Sequence, residues 1–211
     1  MKKEFELNQI IHADCMDIMR DIPDKYFELA IVDPPYGIGV NKMNLGSGKY
    51  KTDKKWDNEI PEEKYFKELF RISKNQIIWG ANYFNNFLYP SMGWIFWDKN
   101  NGTSDFSDGE LAFTSFNRAL RKFKFNLSQQ NKSDIKNRFH PTAKPVSLYI
   151  WILQNYAKPE DKIIDTHSGS GSLAIACHLE KFDFLAIEKD IDYYNASVKR
   201  LEEIRQQGVL F

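Results

Sequence analysis

The 211-residue sequence predicts a doubly wound α/β fold on a mostly parallel, seven-stranded sheet. Two observations carry this. Seven short runs rich in Ile, Phe and Val, several ending at a polar residue or glycine, read as strands. Stretches with helical periodicity separate most of them, and strands that alternate with helices favour parallel pairing with helices on both faces. A third observation adds one exception: a pair of strands lies too close together for a crossover helix.

In chain order, "QIIHA" (9–13) is the first strand, followed by a helical pattern over Cys15–Arg20, then "FELAIV" (27–32). Pro61 opens a helix over Glu62–Lys74, which leads to the strand "QIIWG" (76–80) and a helical pattern over Ala81–Leu88. "GWIFW" (93–97) and "ELAFTSF" (110–116) flank a Gly/Asn/Ser-rich stretch with no room for a helix, so they predict an antiparallel hairpin. Pro145 opens a helix over Val146–Ala157. "KIIDT" (162–166), a helix over Ser172–Lys181, "FDFLAIE" (182–188) and a helix over Ile191–Gln207 complete the series. Val40–Asn58 and Arg118–Arg138 lack strong periodicity and read as a mobile loop and a functional segment within a single domain spanning 1–211.

Charge is balanced, with 29 Lys+Arg against 29 Asp+Glu, so net charge selects no partner class and local distribution must decide. Cys15 and Cys177 are far apart and lack ligand spacing, which argues against a disulfide framework and a zinc site; both read as buried thiols, and no metal is implied. No stretch approaches the ~18 apolar residues of a membrane span, and the charged start "MKKEFELNQI" lacks an apolar run, so a cytoplasmic location without membrane contact is expected.

Two motifs carry chemistry. "DTHSGSGS" (165–172) joins a strand to a helix through Asp165, His167, Ser168, Gly169, Ser170 and Gly171. Its glycines permit a tight turn and close approach of a ligand to a helix N-terminus. Glu188 closes the next strand, 17 residues beyond Gly171, near where the acid of a nucleotide fold meets a ribose diol. The turn lacks the third glycine of a dinucleotide fingerprint, which leaves a nicotinamide oxidoreductase as the weaker reading and suits a nucleoside without pyrophosphate, such as S-adenosylmethionine. Asp165 would then hold its ammonium and Glu188 its ribose hydroxyls. The second motif, "DPPY" (Asp33, Pro34, Pro35, Tyr36), follows an apolar strand. It combines a carboxylate, a stiff backbone carbonyl and a flat ring, or, read blandly, a proline strand terminator with an acid cap.

Together with "HPTAKPVSL" (140–148), and with the catalytic motif about 130 residues ahead of the glycine loop, these motifs resemble the DNA amino-methyltransferases in the permuted order called the beta class. "NQIIWGANYF" and "GWIFWDKN" look like segments of phage-type adenine methylases. The resemblance implies a Rossmann-like methyltransferase fold, S-adenosylmethionine as cofactor and transfer to adenine N6 in double-stranded DNA; cytosine N4 is the nearest alternative, and a non-catalytic DNA-binding relative is another. Asp33 favours adenine, because cytosine-N4 members more often carry Ser there. Asp33 and the Pro34 carbonyl would accept the two amino protons, and Tyr36 would offer its face to the extruded base. The resemblance also implies that Asp14, otherwise equally well read as a helix N-cap, meets the cofactor's adenine amino group. By the same comparison His140, Thr142 and Lys144 line the methionine pocket, with Lys144 against its carboxylate, and His167 stands where many members have Phe under the adenine. A homodimer and a cognate restriction endonuclease are candidate partners.

Between Arg118 and Arg138 seven basic residues face the single acid Asp134. Among them Arg118, Arg121, Lys122, Lys124, Lys132 and Arg138, with Gln129 and Gln130, suit phosphate contact and base-edge readout, although such a run is often only a solvated face. Lys42, in the loop after the catalytic corner, is a further candidate DNA contact.

Overall fold

A computed structural model describes residues 5–39, 57–101, 107–125 and 143–207. The strands are β1 (Gln9–His12), β2 (Phe27–Val32), β3 (Ser73–Trp79), β4 (Trp94–Asp98), β5 (Gly109–Thr114), β6 (Arg121–Lys124), β7 (Ile163–Asp165) and β8 (Phe184–Glu188). They form one sheet in the order β1-β8-β7-β2-β3-β5-β4-β6. β5 runs antiparallel to both β3 and β4, and all other neighbours pair parallel. The predicted doubly wound sheet and the hairpin are therefore present, with one strand more than the expected seven.

The helices are α1 (Cys15–Met19), α2 (Glu63–Ile72), α3 (Val146–Tyr156), α4 (Ser172–Glu180) and α5 (Ile191–Gln207). Alternation along the central strands divides the core. Leu29, Ile31, Ile77 and Trp79 pack with Leu148, Ile152, Leu153 and Leu173 of α3 and α4, while Ala30, Val32 and Ile78 pack with Tyr65, Phe66, Leu69 and Ile72 of α2. Such two-sided cover is what near-continuous apolar strands require.

Three departures from the sequence expectation have physical causes. α2 stops at Ile72 because Ser73 is already extended, its hydroxyl donating to the Leu69 carbonyl at 2.6 Å, so helix passes into strand without a loop. The Ala81–Leu88 stretch forms two 3-10 turns, Ala81–Tyr83 and Asn85–Phe87, and its apolar Ala81, Phe84 and Phe87 recur at the period of that tighter helix. β6 escaped detection because three of its four residues are exposed and basic. Among the described residues, no helix is long and apolar enough to cross a membrane. Cys177 is buried, Cys15 half-buried, and both are free thiols.

Candidate active site

Five parallel neighbours, β1, β8, β7, β2 and β3, end at the same edge of the sheet, so the residues that follow them converge there. These are Asp14, the Glu188–Asp190 turn, the Asp165–Gly171 loop, Asp33–Tyr36 and Gly80–Tyr83. β5, being reversed, starts at this edge with Gly109 and Glu110, and β4 reaches it at Asp98, followed by Lys99. In open α/β sheets this carboxyl edge is where ligands bind.

Asp33 sits within a web of charge. The Lys144 ammonium contacts its Oδ2, and the Tyr36 hydroxyl donates to its Oδ1 at 2.6 Å. Lys144, only 4% exposed, also donates to the Tyr36 hydroxyl at 3.1 Å and pairs with Glu110 Oε2 at 3.0 Å; Lys99 pairs with Glu110 Oε1 at 2.7 Å. Burial pushes the Asp33 carboxyl up, Lys144 opposes that shift, and Glu110 adds to it. Burial also disfavours the charged forms of Lys144 and Glu110, yet their partners win: Asp33 and Glu110 hold Lys144 above its ordinary value, and Lys144 with Lys99 bring Glu110 to about 2.

Backbone contacts fix the same corner. Asp57, 2% exposed, accepts from the Tyr36 and Gly37 amides at 2.7 and 3.0 Å, and its carbonyl accepts from Gly39 at 2.9 Å. The Tyr36 ring stacks on Tyr83 with centroids 5.2 Å apart and meets Phe84 edge-on at 6.2 Å. Gly80, at φ +68°, lies so close that a Cβ there would stand 2.1 Å from Tyr36 Cε1.

These contacts correct one expectation: Lys144 does not stand free for a cofactor carboxylate, since its ammonium is held by Asp33, Glu110 and Tyr36. Tyr36 is half-buried, with Tyr83 stacked against one face of its ring.

The glycine loop is braced from several sides. Gly169 and Gly171 adopt φ of +49° and +70°, and Gly171 caps α4. The Gly169 amide donates to Glu188 Oε2 at 2.7 Å, while Asp190 donates to Glu188 Oε1 at 2.8 Å. Arg200 donates to the Ser170 carbonyl at 2.9 Å and the Ser172 hydroxyl at 3.0 Å. Asp165, 6% exposed, accepts from the His167 amide at 3.0 Å, and burial pushes its carboxyl to about 8. His167 is lowered to about 4 by burial and is therefore neutral; its Nδ1 meets Thr166 Oγ1 at 2.9 Å, and its ring meets Tyr65 edge-on at 5.3 Å. Ser168 Oγ is buried and has no hydrogen-bond partner within the described structure.

Asp14 adopts the local role the sequence also allowed. Its Oδ1 caps α1 by accepting from the Met16 amide at 2.9 Å, and its Oδ2 pairs with Lys189 at 2.7 Å. His140, Thr142, Lys42, Gln129, Gln130, Lys132 and Arg138 lie outside the described residues.

Of the candidate DNA contacts, Arg121, Lys122 and Lys124 are exposed on the edge strand β6, about 19 Å from β2 across four strand spacings. Arg118 is a correction. Its guanidinium donates to the Asn155 carbonyl at 2.6 Å and lies 4.6 Å from the Tyr156 ring centre, so it is committed to the fold. Sequence reasoning missed Glu110, Lys99, Asp57, Gly80 and Tyr83. For Glu110 and Lys99 the available signal was a pair of opposite charges at the loop end of the predicted hairpin.

A permuted doubly wound sheet whose carboxyl edge holds an Asp-Pro-Pro-Tyr corner beside a glycine loop defines the Rossmann-like methyltransferase fold. Two solved structures share it: the M1.HpyAVI–SAM complex (TM-score 0.64, 21% identity, 92% of this chain and 98% of that one) and the cytosine-N4-specific PvuII DNA methyltransferase (0.63, 12%, 94% and 91%). Residues 74–199 match the N6/N4 DNA methylase family, and the chain belongs to it. Among curated relatives, the type II methyltransferase M.HinfI of Haemophilus influenzae is 26% identical over 94% of this chain and 69% of its own.

Proposed function

We propose that this protein transfers the methyl group of S-adenosylmethionine directly to the N6 amino group of adenine in double-stranded DNA. The observation that carries the proposal is the half-buried Asp33 carboxylate, held at Oδ1 by Tyr36 and at Oδ2 by Lys144, beside the Asp165–Gly171 loop. An exocyclic amino nitrogen is a poor nucleophile because its lone pair is delocalised into the ring. Two fixed acceptors, the Asp33 carboxylate and the Pro34 carbonyl, draw on its two protons and favour the pyramidal form with a localised pair. They also stabilise the positive charge that develops on the nitrogen. Pro34 and Pro35 restrict the backbone so that the second acceptor keeps its direction. The proton that the methylated nitrogen sheds passes to Asp33, which burial makes a stronger base than an exposed aspartate.

The loop fits the cofactor. A buried carboxylate held at about 8 is short of a cation, and an ammonium supplies one; the partnerless Ser168 hydroxyl offers a further polar contact. When bound, S-adenosylmethionine supplies the methyl as an electrophile on its sulfonium. Glu188 keeps lone pairs for ribose hydroxyls, although both of its oxygens already accept backbone amides. His167 offers a neutral ring held by Thr166 and Tyr65. Arg121, Lys122 and Lys124 supply phosphate contacts flanking the site, and a homodimer and a cognate endonuclease belong to the same proposal.

The test is methylation of unmodified DNA with labelled cofactor, followed by nucleoside mass spectrometry, beside Asp33→Ala. N6-methyladenine that vanishes in the variant is expected. N4-methylcytosine would establish the alternative, cytosine-N4 reading.

A further inference from the structure

We propose that Glu110 is a positioning residue for methyl transfer: it orients Lys144 toward Asp33 and cancels its charge beside the reacting nitrogen. The inference rests on the assignment of Asp33 as the acceptor. Its starting point is an alternating chain, Asp33–Lys144–Glu110–Lys99, which runs from the catalytic corner toward the rim of the sheet.

The electrostatics of the reaction give this chain a purpose. Positive charge would grow on the target nitrogen, and the cofactor, when bound, would bring a cationic sulfonium beside it. A lone buried ammonium against Asp33 would keep the carboxylate ionised, yet it would also repel both positive centres in a medium that screens weakly. Glu110 resolves the conflict. Its Oε2 lies 3.0 Å from the Lys144 ammonium and 3.3 Å from the Tyr36 hydroxyl, so Lys144 still satisfies Asp33 while its positive charge is matched. Lys99 holds the other carboxylate oxygen at 2.7 Å from the partly exposed side, which anchors Glu110 and removes the need for a proton on it.

The fold supplies the geometry. Glu110 is the second residue of β5 and pairs in register with Trp97 of β4, while the Lys99 amide donates to the Asp108 carbonyl at 2.9 Å. The reversed strand therefore delivers an acid to an edge otherwise reached only by the ends of parallel strands.

The experiment compares steady-state kinetics of the wild type, Glu110→Gln, Lys144→Met, the double variant and Asp33→Ala, with thermal melting as a check on folding. Glu110→Gln is expected to lower kcat roughly tenfold or more, less than loss of a direct transition-state donor, with the KM for DNA within about threefold. In the Lys144→Met background the same change is expected to leave kcat within about threefold, because the charge it answered is gone. An equal cost of Glu110→Gln in both backgrounds, or no cost in either while Asp33→Ala is inactive, would overturn the proposal. Should Glu110→Gln alone not fold, the comparison of Lys144→Met with the double variant still decides, since a tenfold loss there is the overturning result. Full activity of Asp33→Ala would instead remove the reading beneath it.

Discussion

Cofactor affinity should depend on pH in a way that reports Asp165. Burial pushes this carboxyl to about 8, whereas in an unfolded chain it titrates near ~3.9. The native state thus binds more protons than the unfolded state between those values, and the free protein loses stability as pH rises from about 4 through about 8. An ammonium docked against Asp165 reverses the preference, so cofactor binding must expel the proton. Below pH 8 the ionised fraction falls roughly tenfold per unit, which weakens binding by about 1.4 kcal/mol between pH 7 and pH 6. Above about pH 8 the cofactor's own amino group, with an ordinary value near ~8, deprotonates and affinity falls again. His167, at about 4, does not titrate in this window. Calorimetry at pH 6, 7 and 8, in two buffers of different ionisation enthalpy, should show an affinity maximum near pH 8 and release of about one proton per binding event at pH 7 and below. Asp165→Asn should bind more weakly at pH 7.5 and lose the slope. An affinity that changes less than threefold between pH 6 and 7, without proton release, would refute the assignment.

Three further variants separate support of the fold and site from contact with DNA. Gly80→Ala places a Cβ 2.1 Å from Tyr36 at φ +68°, so it should cost about 2–4 kcal/mol and reduce activity, as calorimetric melting and the methylation assay would show. Lys122→Glu with Lys124→Glu should raise the KM for DNA and flatten its salt dependence by about two phosphate contacts, whereas Arg118→Ala should lower the melting temperature with DNA affinity unchanged within about threefold.

Much of the candidate site was legible because its motifs are local. Asp33–Tyr36 directly continues β2, and Asp165–Gly171 links β7 to α4, so each could be read from a strand and the residues after it. Roles that depend on distant partners were not. Lys144 looked free in its own segment, and only the fold places it against Asp33, 111 residues away. Asp57 lies 21 residues beyond the Tyr36 amide it holds, in a stretch without periodicity. Tyr83 follows a glycine whose positive φ redirects the chain into a 3-10 turn, which a helical reading of Ala81–Leu88 concealed.

The reversal of β5 links these observations. An all-parallel sheet brings only strand ends to its carboxyl edge, where loops then carry the chemistry. With β5 antiparallel, the edge also receives a strand beginning, and a side chain there is fixed by sheet register: Glu110 pairs with Trp97, and Leu111 accepts from the Gly80 amide at 3.0 Å. That single hydrogen bond ties the start of β5 to the turn carrying Tyr83, and so to the ring stacked on Tyr36. The acid that balances Lys144 and the glycine that seats Tyr36 are consequently joined through the same strand. Displacing the hairpin would disturb the charge and the geometry of the Asp33 corner together, even though β4 and β5 contribute none of the residues in the sequence motif itself.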